Sequence, residues 1–347
     1  MSYTQLDPTD FVISSDSITA PAWSNNLPVL STFITASTGV SSSYYLDVYN
    51  TGSANVNAAV QFSIAYGHIL GTASFALNPL VPNTTPTRTT FGQYRNLVYG
   101  NPTANFNFGG LATASSNIYA LSIDRNRYKE SLMPGTFNLT LSIGGSTINL
   151  TDDSNDATTI TYLDCGRVFN IVSGSYGSAL GVPKPTGATT TGYTASGSYG
   201  LYLPDIGTII LNPNSLTLPF ANGGIGLSLY AGSSVLSTFA SSSLNNNALF
   251  SAISTGANFQ LLSQETISSN YIFVRVKNAQ YNYSTNPSFV SGSGTLLYSN
   301  FINNPQTYYT TIGFYNKNND LVAVAKMSRP LVKDFTKEGL VTVKLDW

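Results

Sequence analysis

Phe137-Asn138-Leu139-Thr140-Leu141-Ser142-Ile143-Gly144-Gly145-Ser146-Thr147-Ile148-Asn149-Leu150-Thr151 alternates apolar and polar side chains on both sides of a Gly-Gly pair. Successive side chains of an extended chain point to opposite faces, so this spacing predicts a strand over 137–143 with one apolar face. Gly144-Gly145 suits the two positive φ angles of a tight turn, and 147–151 reads as the hairpin partner. The same alternation recurs at Val60–Ile64, at Ile118–Ile123 and at Tyr44–Tyr49, the last followed by Asn50-Thr51-Gly52. Thr208–Leu211 runs into Asn212-Pro213 as a strand ending in a turn.

Towards the C-terminus, Ile272, Val274 and Val276 alternate with Phe273, Arg275 and Lys277 as a half-buried strand. Leu321–Ala325 and Leu340–Leu345 complete that region, and Arg329-Pro330 imposes an extended or turn conformation between them. Helical signals are few. Asp124 is placed to cap a short turn carrying Arg125, Arg127, Lys129 and Glu130, stopped by Pro134-Gly135. A longer helix is predicted over 241–254, with Leu244, Ala248, Leu249, Ala252 and Ile253 on one face and Gly256 as the stop. The expected fold is mainly β, with β-sandwich or jelly-roll-like domains and few short helices.

Charge divides the chain. Residues 271–347 hold eight of the 15 basic residues and four of the 16 acidic ones, a net of +4, which leaves −5 for the rest. Between Arg167 and Glu265 only Lys184 and Asp205 are charged. Three parts are read from this: an N-terminal β domain over 1–165, a neutral middle region over 166–265 and a basic C-terminal β module over 266–347. The middle holds a Gly/Ser/Thr/Tyr-rich stretch at 174–200, a long loop or arm of a length that tends to be functional or to contact partners.

Only 9% of the 347 residues are charged, against about 25% in an ordinary globular protein, while 42% are hydrophobic. With 22 Tyr, 18 Phe and a net charge of −1, the chain is built to bury a core. It has no global field to draw it to nucleic acid or anionic lipid. Charge-poor, Tyr-rich surface is the composition of interface centres, which predicts a homo- or hetero-oligomer whose neighbours cover much of it. The alternative is a stable β-sandwich solubilised by hydroxyls and amides.

One histidine and one cysteine exclude, within a single chain, a disulfide framework, a zinc site of the usual ligand sets and a redox Cys pair. Residues 1–10 have neither a basic nor an apolar signal region, and no run of about 18 apolar residues exists, so neither secretion nor a membrane helix is expected. The Asn-x-Ser/Thr triplets at Asn83, Asn138, Asn149 and Asn282 are those chance supplies in such a composition.

Chemistry-bearing patterns are scarce. His68, in Ala65-Tyr66-Gly67-His68-Ile69-Leu70, reads as structural, and Cys165 as buried packing. Neither Gly174-Ser175-Tyr176-Gly177 nor Gly197-Ser198-Tyr199-Gly200 has the spacing of a nucleophile elbow, and no phosphate loop or dinucleotide fingerprint is present. Asp152-Asp153-Ser154-Asn155-Asp156 reads as a solvated turn. As a calcium loop it lacks the sixth-position Gly (Ala157) and the twelfth-position Glu (Leu163), and calcium is left open there. The C-terminal cations alternate with Asp320, Asp334, Glu338 and Asp346, which reads as a solvated or inter-subunit ion-paired face rather than a nucleic-acid site. No enzyme, cofactor or metal is expected.

Several C-terminal runs carry a resemblance. They are Ser269–Asn278, Tyr281–Phe289, Asn304-Pro305 through Tyr308, Thr311–Asn316, Leu321–Lys326, Ser328-Arg329-Pro330 and Val343–Asp346. Together they resemble virion structural proteins of contractile-tailed bacteriophages, notably T-even-like phages of cyanobacteria. Gly313-Phe314-Tyr315-Asn316 with Leu321-Val322-Ala323-Val324 is also similar to the attachment domains of phage tail-collar and fibre proteins. Asp124–Lys129 and Leu201–Gly207 fit the same family. The likeness covers about the last 80 residues well and the rest in patches.

The resemblance implies a building block of the tail baseplate or fibre-attachment region, in a virion assembled in the host cytoplasm. Its partners would be other phage structural proteins, with no nucleic acid and no membrane. Neck, collar or head decoration is the alternative location, and a carbohydrate-binding receptor using the loops around 174–200 is a second alternative. The candidate assembly contacts are Tyr271, Phe273, Arg275, Phe314, Tyr315, Arg329 and Trp347, offered through strand addition to a neighbour's sheet. Trp347, a large terminal aromatic, is expected to dock in a pocket of the chain or of a partner.

Overall fold

The computed structural model describes residues 3–35, 45–71, 87–110, 114–180, 197–230 and 242–347. Among these the protein is mainly β with few short helices. The strands begin with β1 (Phe11–Pro21), β2 (Val29–Leu30), β3 (Ile34–Thr35), β4 (Leu46–Tyr49), β5 (Val60–His68) and β6 (Asn117–Ile123). They continue with β7 (Ser131–Leu132), β8 (Asn138–Ile143), β9 (Ser146–Asp152), β10 (Thr161–Leu163), β11 (Gly166–Ser175) and β12 (Ser178–Ala179). Next come β13 (Gly200–Leu203), β14 (Thr208–Leu211), β15 (Phe259–Gln260) and β16 (Leu262–Val276). The last are β17 (Thr307–Tyr315), β18 (Leu321–Lys333) and β19 (Gly339–Asp346). The helices are α1 (Thr87–Tyr99), α2 (Pro213–Leu216), α3 (Ser242–Gly256) and α4 (Asn300–Asn303).

The chain divides into two compact units, Met1–Ser17 with Thr266–Trp347, and Ile18–Glu265. This differs from the three-part reading at 165/166. Strands from either side of that point pair directly, β11 with β9 and β14 with β6, so both stretches build one sheet. Charge is sparse over 166–265 in part because two of its strands are buried on both faces: every residue of β13 and β14 is buried.

The larger unit is organised by a sheet of thirteen strands in the order β2-β15-β8-β9-β11-β13-β14-β6-β5-β4-β3, with β10 and β12 paired on β11. The β8–β9 hairpin forms in the expected register, Leu139 opposite Leu150 and Leu141 opposite Ile148, with Gly144 and Gly145 at φ 58° and 87°. The sheet folds over on itself. Phe259 of β15 meets Phe62 of β5 with ring centroids 5.1 Å apart, and Phe137, just before β8, stacks on Tyr202 of β13 at 5.2 Å. Its two halves therefore face each other in a sandwich-like arrangement across one core that also takes Trp23, Leu121 and Leu211. Trp23 satisfies its indole N–H on the Phe259 carbonyl at 2.9 Å.

Helix α3 packs on β8 and β5, strands with five others between them in the sheet order, and buries Leu249, Ala252 and Ile253 in the core. Leu244, expected on that face, is exposed. Asn245 and Asn246 are buried instead, and the Asn245 amide holds the backbone of Tyr230. Gly256 is more than a stop: a Cβ there would lie 2.0 Å from the carbonyl oxygen of Thr140 in β8, so the helix end touches the strand backbone.

The opposite face of β5, β6, β13 and β14 carries a second apolar cluster, with Ile118, Ala120, Leu201, Leu203 and Ile210 under Phe91 and Val98 of α1 and beside Phe106 and Phe108. Asp124 caps the helical turn Arg125–Arg127 by accepting from Asn126 N–H, as expected. The turn ends at an extended Tyr128, however, so Lys129 and Glu130 lie beyond it and β7 begins before Pro134. The end of β6, just before that turn, meets the 201–207 segment, for Ile123 N–H donates to the Gly207 carbonyl. Asp205 accepts from Arg167 N–H at 2.7 Å and from its Nε at 3.0 Å. Burial raises the Asp205 carboxyl, but the bonds and charge of Arg167 outweigh it and hold it below the ordinary carboxylate range.

Candidate functional site

The smaller unit is where the sequence placed its assembly contacts. β16 sits between β1 and β19, leaving β1 and β19 with outer edges that pair with nothing among the described residues. In β16–β19, Ile272 faces Val343 and both are buried, while Tyr271, Phe273 and Arg275 share the opposite face with Lys344, Thr342 and Leu340. Three of the predicted contacts are thus brought to one face. Lys344 reaches the ring of Tyr271 (5.8 Å) and pairs with Asp346 at 3.2 Å.

Phe314 and Tyr315 lie on a separate two-stranded ribbon, β17–β18. Phe314, facing Ala323, is half-buried, and Tyr315 packs its ring against Tyr3 with centroids 4.9 Å apart. Tyr309 faces Leu331 and Thr311 faces Lys326, so Met327–Pro330 stand opposite Thr310 alone. Arg329 lies in this bulge, exposed and without an ion pair among the described residues. Pro330, which has no N–H to give a ladder, is accommodated there.

Trp347 is held by its backbone, its N–H donating to the Ser268 carbonyl at 3.0 Å, but its side chain is 70% exposed. The expected pocket within the chain does not receive it, because the terminal residue continues β19 at an open edge.

The sequence reading missed part of this surface. Ile13 of β1 is 73% exposed and Val322 of β18 is 64% exposed, with Val324 and Leu340 also bare. The signal for β1 was present in Phe11-Val12-Ile13, three strand formers in a row. A two-stranded ribbon is marginal in water, and an apolar strand with an open edge is a template for another chain. The arrangement is suited to adding strands and covering side chains.

The cation-bearing face is not uniformly solvated. Lys333 is buried and its ammonium donates to the carbonyls of Asn278 and Asp334 and to Asn282 Oδ1, at 2.7–2.8 Å. Asp334 accepts from Thr336 and pairs with Lys337 at 3.3 Å.

Elsewhere, the side chains read as possible chemistry are engaged in packing. His68 is buried at the end of β5, its Nδ1 accepts from Leu70 N–H, and burial pushes its pKa down to about 4. Cys165 is buried in the outer cluster, its thiol pushed up to about 11 by that burial. The Asp152–Asp156 turn is not solvated throughout. Asp152 is fully buried and accepts from the N–H groups of Gly135 and Ser154, Asp153 from Asn170, and Asp156 from Ala179 N–H. Its carboxylates tie β9, β11 and β12 together. No group of three or more metal-ligating side chains occurs among the described residues. None of the helices described is long and apolar enough to cross a membrane. Of the loop at 174–200, residues 181–196 lie outside the described residues, and Tyr199 is buried with its hydroxyl on the Gly223 carbonyl. No protein-family model, curated protein or solved structure matches the chain.

Proposed function

We propose that this chain is a structural component of a bacteriophage virion, placed at the contractile-tail baseplate or its fibre-attachment region and working through protein–protein contacts. What supports this is that the C-terminal residues resembling tail proteins also present bare strand surface, an outer edge of β19 that is open among the described residues and an apolar β17–β18 ribbon, beside the open edge of the N-terminal β1. Such surface is stable in water when neighbours cover it. The partners are other virion proteins or further copies of the chain. The work of the chain is positional, with no bond made or broken.

The test is to raise antibody to residues 271–347 and locate it by gold label on intact and contracted virions, with mass spectrometry of purified particles alongside. Label at the tail tip is the expected result. Label at the neck, collar or head overturns the baseplate position and leaves an assembly role elsewhere. Absence of the chain from purified particles overturns the proposal as a whole.

A further inference from the structure

A cavity of about 500 Å³ lies in the smaller unit, formed by the 284–308 segment as it folds back to the start of β17. Its size is within the roughly 300–1,000 Å³ of small-ligand sites. The segment is shaped by local bonds. Asn286 Oδ1 accepts from Ser288 N–H, the Asn286 carbonyl accepts from Phe289 and Val290, and Leu297 N–H returns to the Phe289 carbonyl. Phe289 and Phe301, both in the lining, pack edge to face with centroids 4.0 Å apart and give the cavity an apolar part.

The rest of the lining is polar and uncharged. Four carboxamides border it, those of Asn286, Asn300, Asn304 and Gln306, and no charged side chain does. No hydrogen bond among the described residues occupies the side chains of Asn300, Asn304 or Gln306. The nearby cation, Lys333, lies opposite Thr307 in the strand register and already has three acceptors. Tyr298 and Tyr308 border the same cavity and are 63% and 65% exposed, which leaves ring surface open to a ligand.

We infer that this cavity binds a neutral saccharide. A pyranose has apolar C–H faces that stack on aromatic rings, and hydroxyls that each donate and accept. A carboxamide offers both an acceptor and donors, so free amides beside exposed tyrosines match both features. A phosphate, a nucleotide or an acidic sugar would find no cation in the lining. The site is independent of the strand edges invoked for assembly, so either reading stands or fails without the other.

The full-length chain is applied to a glycan array carrying neutral and acidic oligosaccharides, and binding is confirmed by saturation-transfer NMR with the bound sugar. The expected result is binding of at least one neutral oligosaccharide that survives high salt. Tyr298→Ala weakens it about tenfold or more, Asn304→Ala weakens it, and Tyr298→Phe retains it with thermal unfolding unchanged in all three. Binding of no neutral glycan overturns the inference. So does binding confined to acidic glycans, or binding that neither Tyr298→Ala nor Asn304→Ala reduces.

Discussion

Lys333 and Asn282 meet at 2.8 Å, the buried ammonium donating to the amide oxygen across fifty-one positions of the chain. Two backbone carbonyls, of Asn278 and Asp334, take its other protons, so a single cation pins the end of β18 to the 278–282 turn. Full hydrogen bonding is what makes a buried charge tolerable. Removing it leaves the Asn282 amide oxygen without its donor and takes one donor each from the Asn278 and Asp334 carbonyls, which keep Asn282 Nδ2–H and Lys337 N–H.

Lys333→Met is therefore expected to loosen the smaller unit by about 2–4 kcal/mol, well beyond the cost of a surface lysine. Limited proteolysis of the full chain checks it: cleavage near 278–282 should accelerate sharply in the variant and be unchanged in Lys326→Met, whose side chain is exposed.

Gly256 makes the second prediction, one in which propensity and packing disagree in sign. Alanine in a helix is favoured over glycine by about 1 kcal/mol. Here its Cβ would fall 2.0 Å from the Thr140 carbonyl, so helix and strand must separate. Gly256→Ala should destabilise by about 1–3 kcal/mol in denaturant titration. A stabilised variant would show that α3 does not press on β8.

Much of the fold was legible where side chains alternate, as in Phe137–Thr151, because one face of each such strand meets a core. α1 was not, since two of its four buried positions are Thr87 and Thr90, whose polarity hides the helical stripe completed by Phe91 and Val98. Asn245 took a buried place that periodicity assigns to leucine because its amide satisfies the Tyr230 backbone. Lys333 looked like part of a solvated face because burial of a cation depends on carbonyls brought from distant turns. Of the proposed contacts, Tyr271, Phe273 and Arg275 shared a face by simple alternation, whereas the bulge that carries Arg329 depends on a register no local pattern encodes.

His68 is the sole histidine, so its proton signals are unambiguous. In the unfolded chain an imidazole takes up its proton near pH 6.5, and in this fold burial delays that to about 4. Between those values the unfolded state binds more protons. Stability that is complete above pH 6.5 is therefore lost as the pH falls towards 4, by about 1–3 kcal/mol. NMR titration should give a midpoint near 4, and His68→Gln should flatten the stability profile across that window. A midpoint near 6.5 would refute it.

Assembly through β17–β18 makes the last prediction, because it separates apolar cover from charge pairing. Val322 and Val324 stand bare on a ribbon whose nearby cations include Arg329, which has no ion pair among the described residues. If burial of apolar area holds neighbours there, sodium chloride at 0.5 M should leave the assembly intact, since salt screens exposed pairs but not apolar contact. The double variant Val322→Lys and Val324→Lys should dissociate it by sedimentation, as each charge would have to be desolvated at the interface. Arg329→Ala should then have little effect. Dissociation by salt alone, or by Arg329→Ala but not by the double variant, would assign the contact to charge. Persistence through all three would move it to the β1 and β19 edges, where backbone pairing tolerates side-chain change.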